Sequence, residues 1–131
     1  MSVLTRLYQI LFLLSFSNVL IAVWCIFDPP GWAAFSSVTI TSLTTLSMFR
    51  IWGGTLLGVH MLYLPGLIDP IRYQWSNWIS IALKFWMSAI FITSGFDFWN
   101  YAAWDFCWGF ILLTSYSLAL FTRKEVRFLY A

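Results

Sequence analysis

Four ionisable residues lie within strongly apolar stretches of this sequence: Arg50, His60, Lys84 and Asp105. If those stretches are buried in lipid, each ionisable group costs free energy, so each needs a partner or a purpose. Arg50 and Asp105 fall near the outer ends of two apolar segments, at matching depth. This placement predicts an intramembrane ion pair that fixes helix packing, and a substrate or proton site is the alternative interpretation.

Lys84 and His60 carry the remaining candidate chemistry. The long stem of Lys84 predicts snorkelling toward the nearer interface, with a place in a polar path as the alternative. His60 is predicted to make an interhelical hydrogen bond, and the alternatives are a proton or substrate role and ligation of a pigment or haem. Because the chain has one histidine, a bis-His haem within it is excluded. No resident cofactor, no metal site and no catalytic residue is predicted.

Small and polar residues within the apolar segments predict close helix packing. Gly54 and Gly58 form a GxxxG pattern, which lets two helix backbones approach each other. Asn18 is predicted to add a hydrogen bond between helices. Cys25 and Cys107 are too few for a disulfide scaffold, and we expect buried free thiols, with a disulfide between them as the alternative.

The composition explains why lipid is the expected surrounding. Of the 131 residues, 61% are hydrophobic and 9% are charged, and the mean hydropathy is +0.81. A soluble domain carries roughly 25% charged residues. Nine Trp and six Tyr fit a membrane protein, because these residues collect at membrane interfaces. The net charge of +2 is too small to indicate nucleic acid binding.

The apolar segments and their breaks predict a single all-α domain over residues 1–131, an integral membrane four-helix bundle. The sequence Asp28-Pro29-Pro30-Gly31 is predicted to stop the first helix, because prolines remove backbone donors. Residues 33–48, rich in Ser and Thr, are predicted to form an interfacial helix or an extension of the second span. The four spans are predicted at about 7–27, 49–64, 77–96 and 102–122.

The distribution of basic residues predicts that both termini are cytoplasmic. Asp28 and Asp97 are then outside, with Arg50 and Asp105 near that boundary, and the bias follows the positive-inside rule. The residues predicted to lie inside are Arg6, Arg72, Arg123, Lys124 and Arg127.

Three short motifs carry a resemblance to a known family. They are Arg50-x-Trp52-Gly53-Gly54, Asp69-Pro70-x-Arg72-Tyr73 and Asp105-x-x-x-Gly109. From Arg50 onward the chain resembles small four-helix bacterial membrane proteins of the DoxX-like kind and their uncharacterised relatives. The resemblance implies a four-helix bundle and no single activity, although some members are associated with respiratory or redox complexes.

The sequence is consistent with three candidate functions. The first is a non-catalytic accessory subunit of a larger membrane complex, respiratory, photosynthetic or similar, whose aromatic side chains pack against other integral subunits, lipids or pigments. The alternative is a homo-oligomeric proton or solute transporter or channel component. The second alternative is a quinone- or lipid-linked membrane redox protein. We expect the bacterial inner membrane as the location.

Overall fold

The computed structural model of the chain describes residues 3–36, 39, 41–94 and 98–129, with side chains as far as Thr122. Every regular element within those residues is a helix, which confirms the predicted all-α fold class. Asp97 lies outside the described residues, as do the side chains of the basic residues that follow Thr122. The helices are α1 (Val3–Ser15), α2 (Ser17–Phe27), α3 (Pro29–Phe35), α4 (Leu43–Met61), α5 (Leu64–Ile68), α6 (Gln74–Ser94) and α7 (Trp99–Leu129).

Two helical stretches are long and apolar enough to cross a membrane. Val3–Phe27, which contains α1 and α2, has 25 residues, and the mean hydropathy of its most apolar 18-residue window is 2.4. Trp99–Thr122 of α7 has 24 residues, and the mean hydropathy of its most apolar 18-residue window is 1.3. A crossing requires about 17–25 helical residues. Helices α4 and α6 reach that length with 19 and 21 residues, at lower hydropathy.

The chain divides into two compact units. Unit 1 contains Met1–Ser15 and Tyr63–Ala131, and unit 2 contains Phe16–Leu62. Unit 1 therefore holds α1, α5, α6 and α7, and unit 2 holds α2, α3 and α4. The single domain predicted over residues 1–131 stays a prediction.

In unit 1, α6 and α7 form an antiparallel hairpin. The hydroxyl of Ser88 donates a hydrogen bond to the carbonyl oxygen of Ala102 over 2.8 Å. Farther from the turn, Gly109 lies against α6, where an added Cβ would be 3.2 Å from the Cβ of Lys84 and from Cζ of Phe85. This close approach of the two helices is what places their polar side chains within hydrogen-bonding distance.

In unit 2, Asp28 and the prolines after it both end one helix and begin the next. Helix α2 ends at Phe27, and α3 begins directly at Pro29. The carboxylate of Asp28 accepts a hydrogen bond from the backbone N–H of Gly31 over 3.1 Å, so Asp28 is the N-cap of α3. Proline is favoured in the first turn of a helix because the backbone donor it lacks would have no intrahelical acceptor there. The sequence predicted only the stop.

Gly53 is the glycine at which α4 packs against α2. An added Cβ at Gly53 would lie 2.7 Å from the carbonyl oxygen of Ala22 and 2.9 Å from the Cβ of Cys25. Gly54 and Gly58 are exposed, and an added Cβ at either would meet no atom within 4 Å. None of the described residues packs on Gly54 or Gly58. The packing role of this GxxxG pair therefore stays a prediction.

We expect Gly53→Ala to destabilise the protein and Gly54→Ala to leave it unchanged or slightly more stable. The added methyl at Gly53 overlaps a backbone oxygen, and overpacking of this kind costs about 1–3 kcal/mol. At Gly54 the methyl meets open space and alanine favours the helix by up to about 1 kcal/mol. Thermal unfolding of both variants in one detergent measures the difference, and equal midpoints would contradict the described packing of α4 on α2.

Candidate functional site

A buried ion pair joins the two long helices of unit 1. Nζ of Lys84 on α6 donates a hydrogen bond to Oδ1 of Asp105 on α7 over 2.8 Å. The two side chains are 7% and 9% exposed. Opposite charges at this distance cancel, so the hairpin carries two ionisable groups in its interior without a net charge there. Close by, the rings of Phe85 and Phe106 pack edge to face with centroids 5.6 Å apart.

The antiparallel hairpin explains why these two residues meet. Lys84 and Asp105 are 21 residues apart, and the hydrogen-bonded Ser88 and Ala102 are 14 apart. Both pairs are centred on the same short link between α6 and α7. In an antiparallel helix pair, residues at equal distances from the turn lie at the same depth, so the spacing itself contains the signal for a Lys84–Asp105 pair.

Arg50 is the partner that the sequence predicts for Asp105, and the cation that the structure pairs with Asp105 is Lys84. Arg50 lies on an exposed position of α4 in unit 2. Arg50 and Asp105 share a predicted depth near the outer boundary, whereas the sequence predicts that Lys84 snorkels toward the opposite interface. The structure instead directs the Lys84 side chain to a carboxylate, and Lys84 as a whole is 6% exposed. The Arg50–Asp105 pair stays a prediction.

His60 is buried in unit 2, with 3% of its surface exposed. Its Nδ1 lies 2.7 Å from the carbonyl oxygen of Leu56, one helical turn earlier. A carbonyl oxygen can only accept, so Nδ1 carries the proton in this hydrogen bond. The ring of Phe16 packs edge-on at 5.3 Å between centroids. The predicted roles of His60 in pigment or haem ligation and in a polar path stay predictions.

The other polar or sulfur-containing candidates of the apolar segments are distributed over both units. Asn18 on α2 is buried, 7% exposed. Cys25 is a buried free thiol and Cys107 is an exposed free thiol. The expectation of free thiols is met at both positions, whereas burial applies to Cys25 alone.

Asn77 is the centre of a hydrogen-bond network that the sequence reasoning missed. Its Oδ1 accepts a hydrogen bond from the hydroxyl of Tyr8 over 2.7 Å. Its Nδ2 donates to the carbonyl oxygens of Pro70 at 3.0 Å and Tyr73 at 3.3 Å. Asn77 itself is fully buried. One side-chain amide therefore joins α1 to α6 and to the link between α5 and α6.

The same network extends to α7 through Tyr116. Its hydroxyl donates to the carbonyl oxygen of Pro70 over 2.9 Å, and its ring lies 4.8 Å from that of Tyr8 between centroids. Gln9 of α1 adds a hydrogen bond from Nε2 to the carbonyl oxygen of Leu67 over 2.8 Å. The early part of α1, the α5–α6 link and the later part of α7 therefore meet at one end of unit 1.

A polar residue near the start of an apolar helix is the signal that could have identified this network. Asn77 begins the predicted third span, directly after the Asp69–Gln74 link, and an amide there can satisfy backbone carbonyls of the link. Tyr8 and Tyr116 gave no comparable signal, because tyrosines near the end of a span are also typical of membrane interfaces.

Among the described residues, no group of three or more His, Cys, Asp or Glu side chains could hold a metal ion. No protein-family model, no curated protein and no solved structure matches the chain. The resemblance to DoxX-like proteins therefore stays a prediction.

We expect the Lys84–Asp105 pair to show strong coupling in a double-mutant cycle. Lys84→Met or Asp105→Leu alone leaves a buried charge uncompensated, which costs about 3–5 kcal/mol. The double variant removes both charges and is expected to be more stable than either single variant. Chemical unfolding of the four proteins in one detergent measures the coupling.

Arg50→Met provides the matched comparison in a second cycle with Asp105→Leu. If Lys84 is the partner, the Arg50 and Asp105 effects add within about 0.5 kcal/mol, as for independent sites. Coupling to Arg50 with additivity at Lys84 would reverse the assignment.

Proposed function

We propose that the chain is a non-catalytic accessory subunit of a larger complex in the bacterial inner membrane. In this proposal it forms a four-helix membrane bundle with both termini in the cytoplasm. The four crossings are α1 with α2, then α4, α6 and α7. The exterior packs against other integral subunits and lipids.

One observation carries the proposal: the described residues bury ten polar or charged side chains and expose many large apolar ones. Each buried side-chain nitrogen or oxygen of these residues has a hydrogen-bond partner. Such a distribution suits a surrounding of lipid and other membrane proteins, because lipid hydrocarbon offers no hydrogen-bond partner to a polar side chain. The buried polar residues are Thr5, Ser15, Asn18, His60, Ser76, Asn77, Ser80, Lys84, Ser88 and Asp105.

Exposed aromatic residues favour protein partners as well as lipid. Large rigid rings bury much area at little entropic cost, which is why they are enriched at interfaces. They occur on both long helices of unit 1, so the outer surface of the α6–α7 hairpin offers two aromatic faces. The aromatic residues of these helices that are about half exposed or more are Trp75, Trp86, Trp99, Trp104, Phe106, Phe110 and Phe121.

The network around Asn77 supports the proposed orientation. It gathers the early part of α1, the α5–α6 link and the later part of α7 at one end of unit 1. Arg6 and Arg72 lie on the first two of these segments, and the basic residues after Thr122 follow on the third. A cytoplasmic location of this end satisfies the positive-inside rule.

Gentle extraction from native membranes through a tag on the C-terminal tail tests the accessory-subunit proposal. We expect a native-gel size well above that of the 15.3 kDa chain and stoichiometric integral membrane partners by mass spectrometry. The Trp86→Ala/Trp104→Ala variant removes two exposed rings and is expected to lower partner recovery while the chain itself stays folded. A homo-oligomer without partners would contradict the proposal.

The buried Lys84–Asp105 pair favours a second candidate, a homo-oligomeric proton transporter or channel component. Ionisable residues at membrane depth often mark proton or ion pathways. Here the recorded hydrogen bond uses one of the three donors of Lys84 and one of the two oxygens of Asp105, so the pair retains capacity for a transferred proton.

Proton flux in proteoliposomes, followed with an enclosed pH-sensitive dye, tests the second candidate. Transport through the pair predicts flux in the wild-type protein and its loss in the Lys84→Met/Asp105→Leu double variant. The double variant is the right probe because it keeps the hairpin free of an unpaired buried charge. Equal flux in both proteins, or none in the wild type, would contradict this candidate.

A further inference from the structure

One end of unit 1 concentrates the basic residues of the chain. The hydrogen bonds of Tyr8, Asn77 and Tyr116 hold three segments together there, and each segment carries at least one cation. Helix α7 continues to Leu129, and the sequence of its part after Thr122 contains three cations. We call this set the basic end, and its members are Arg6, Arg72, Arg123, Lys124 and Arg127.

The basic end holds more positive charge than the whole chain. Its five cations are accompanied by two carboxylates, Asp69 in the link and Glu125 in α7, which leaves +3, whereas the whole chain carries +2. Oδ1 of Asp69 is occupied by hydrogen bonds from the backbone N–H groups of Ile71 at 3.1 Å and Arg72 at 3.0 Å. Asp69 is therefore used to shape the link.

The described cations of the basic end are directed outward. Arg6 and Arg72 are both exposed, and neither has an ion-pair partner among the described residues. The guanidinium carbon of Arg72 lies 5.4 Å from the centroid of the Tyr73 ring, a distance typical of a cation–π contact. This contact supports the guanidinium on one face and leaves its N–H groups available to an external acceptor.

Tryptophans next to Arg72 indicate the depth of this end in a membrane. Trp75 and Trp78 are 50% and 42% exposed, and Trp78 packs edge to face against Tyr116 with centroids 5.3 Å apart. Trp and Tyr favour the headgroup level of a bilayer, where an apolar body and a polar tip are both satisfied. In the proposed membrane location, an exposed arginine beside them is expected at the level of the lipid phosphates.

We propose that the basic end binds the headgroup phosphates of anionic phospholipids in the leaflet that it faces. Guanidinium groups match phosphate oxygens in two-point hydrogen bonds, and a cluster of cations beside a membrane helix attracts anionic headgroups. The inference rests on the proposed membrane insertion. It adds a lipid specificity that the accessory-subunit role does not require.

Lipid titration of the purified protein tests the inference. Before purification, an alkaline carbonate wash of the membranes establishes that the chain stays in the pellet. The protein in mild detergent is then titrated with phosphatidylglycerol or phosphatidylcholine of the same acyl chains. The thermal unfolding midpoint is followed by tryptophan fluorescence.

We expect phosphatidylglycerol to raise the midpoint at lower concentration than phosphatidylcholine, and 0.5 M salt to reduce the difference by screening. The Arg6→Gln/Arg72→Gln variant is expected to lose about fivefold in apparent phosphatidylglycerol affinity for each cation removed. Its response to phosphatidylcholine should not change. Arg50→Gln, an exposed arginine of unit 2, is the matched control and should behave as wild type.

Several outcomes would overturn the inference. They are equal responses to the two lipids, an unchanged preference in the double variant, and an equal loss in Arg50→Gln. Glycerol phosphate reproducing the effect at the same concentration would assign it to free phosphate. Release of the chain by the alkaline wash would instead overturn the proposed membrane function, so the two failures are distinguishable.

Discussion

The side-chain amide of Asn77 is the contact on which the organisation of unit 1 depends. It accepts from Tyr8 and donates to the carbonyl oxygen of Pro70, which also accepts from Tyr116. These bonds connect segments that are 69, 7 and 46 residues apart in sequence. An added Cβ at Gly66 would lie 2.5 Å from Oδ1 of Asn77, so α5 can approach this amide only with a glycine there.

A chain with an apolar exterior must satisfy its polar groups internally, and this constraint explains the rest of the interior. Water is absent from a hydrocarbon layer, so an unsatisfied donor or acceptor there costs several kcal/mol. Ser88 bonds to a carbonyl of the facing helix, and Lys84 bonds to a carboxylate. His60 turns to a carbonyl of its own helix. The Ser88 and Lys84 contacts therefore specify that α6 pairs with α7, whereas the His60 contact is made within α4.

The sequence predicts the all-α fold class because apolar length and proline breaks act locally. The span limits at about 7–27, 49–64, 77–96 and 102–122 stay predictions. The end of α2 at Phe27 follows from Asp28 and the prolines after it. The start of α3 at Pro29 follows from the N-cap hydrogen bond of Asp28 and from proline in the first turn. The hydrogen-bond and ion-pair partners of the buried groups could not be predicted in the same way, because they depend on which helices are adjacent. Lys84 contacts Asp105 because α6 and α7 form a hairpin. Gly53 rather than Gly54 packs against α2, because successive residues of a helix point in directions about 100° apart.

The placement of charge separates what holds the protein together from what it presents to its surroundings. Lys84 and Asp105 neutralise each other inside the hairpin, where the ion pair joins α6 to α7. Arg6 and Arg72 are exposed at the end where three segments converge, and in the proposed membrane orientation this end faces the negative charge of the lipid surface. Between these levels the described exterior is mainly apolar and aromatic. In the proposed function, recognition by this chain depends on ring-to-ring and ring-to-lipid contact along the helices, and the further inference adds phosphate contact at the basic end.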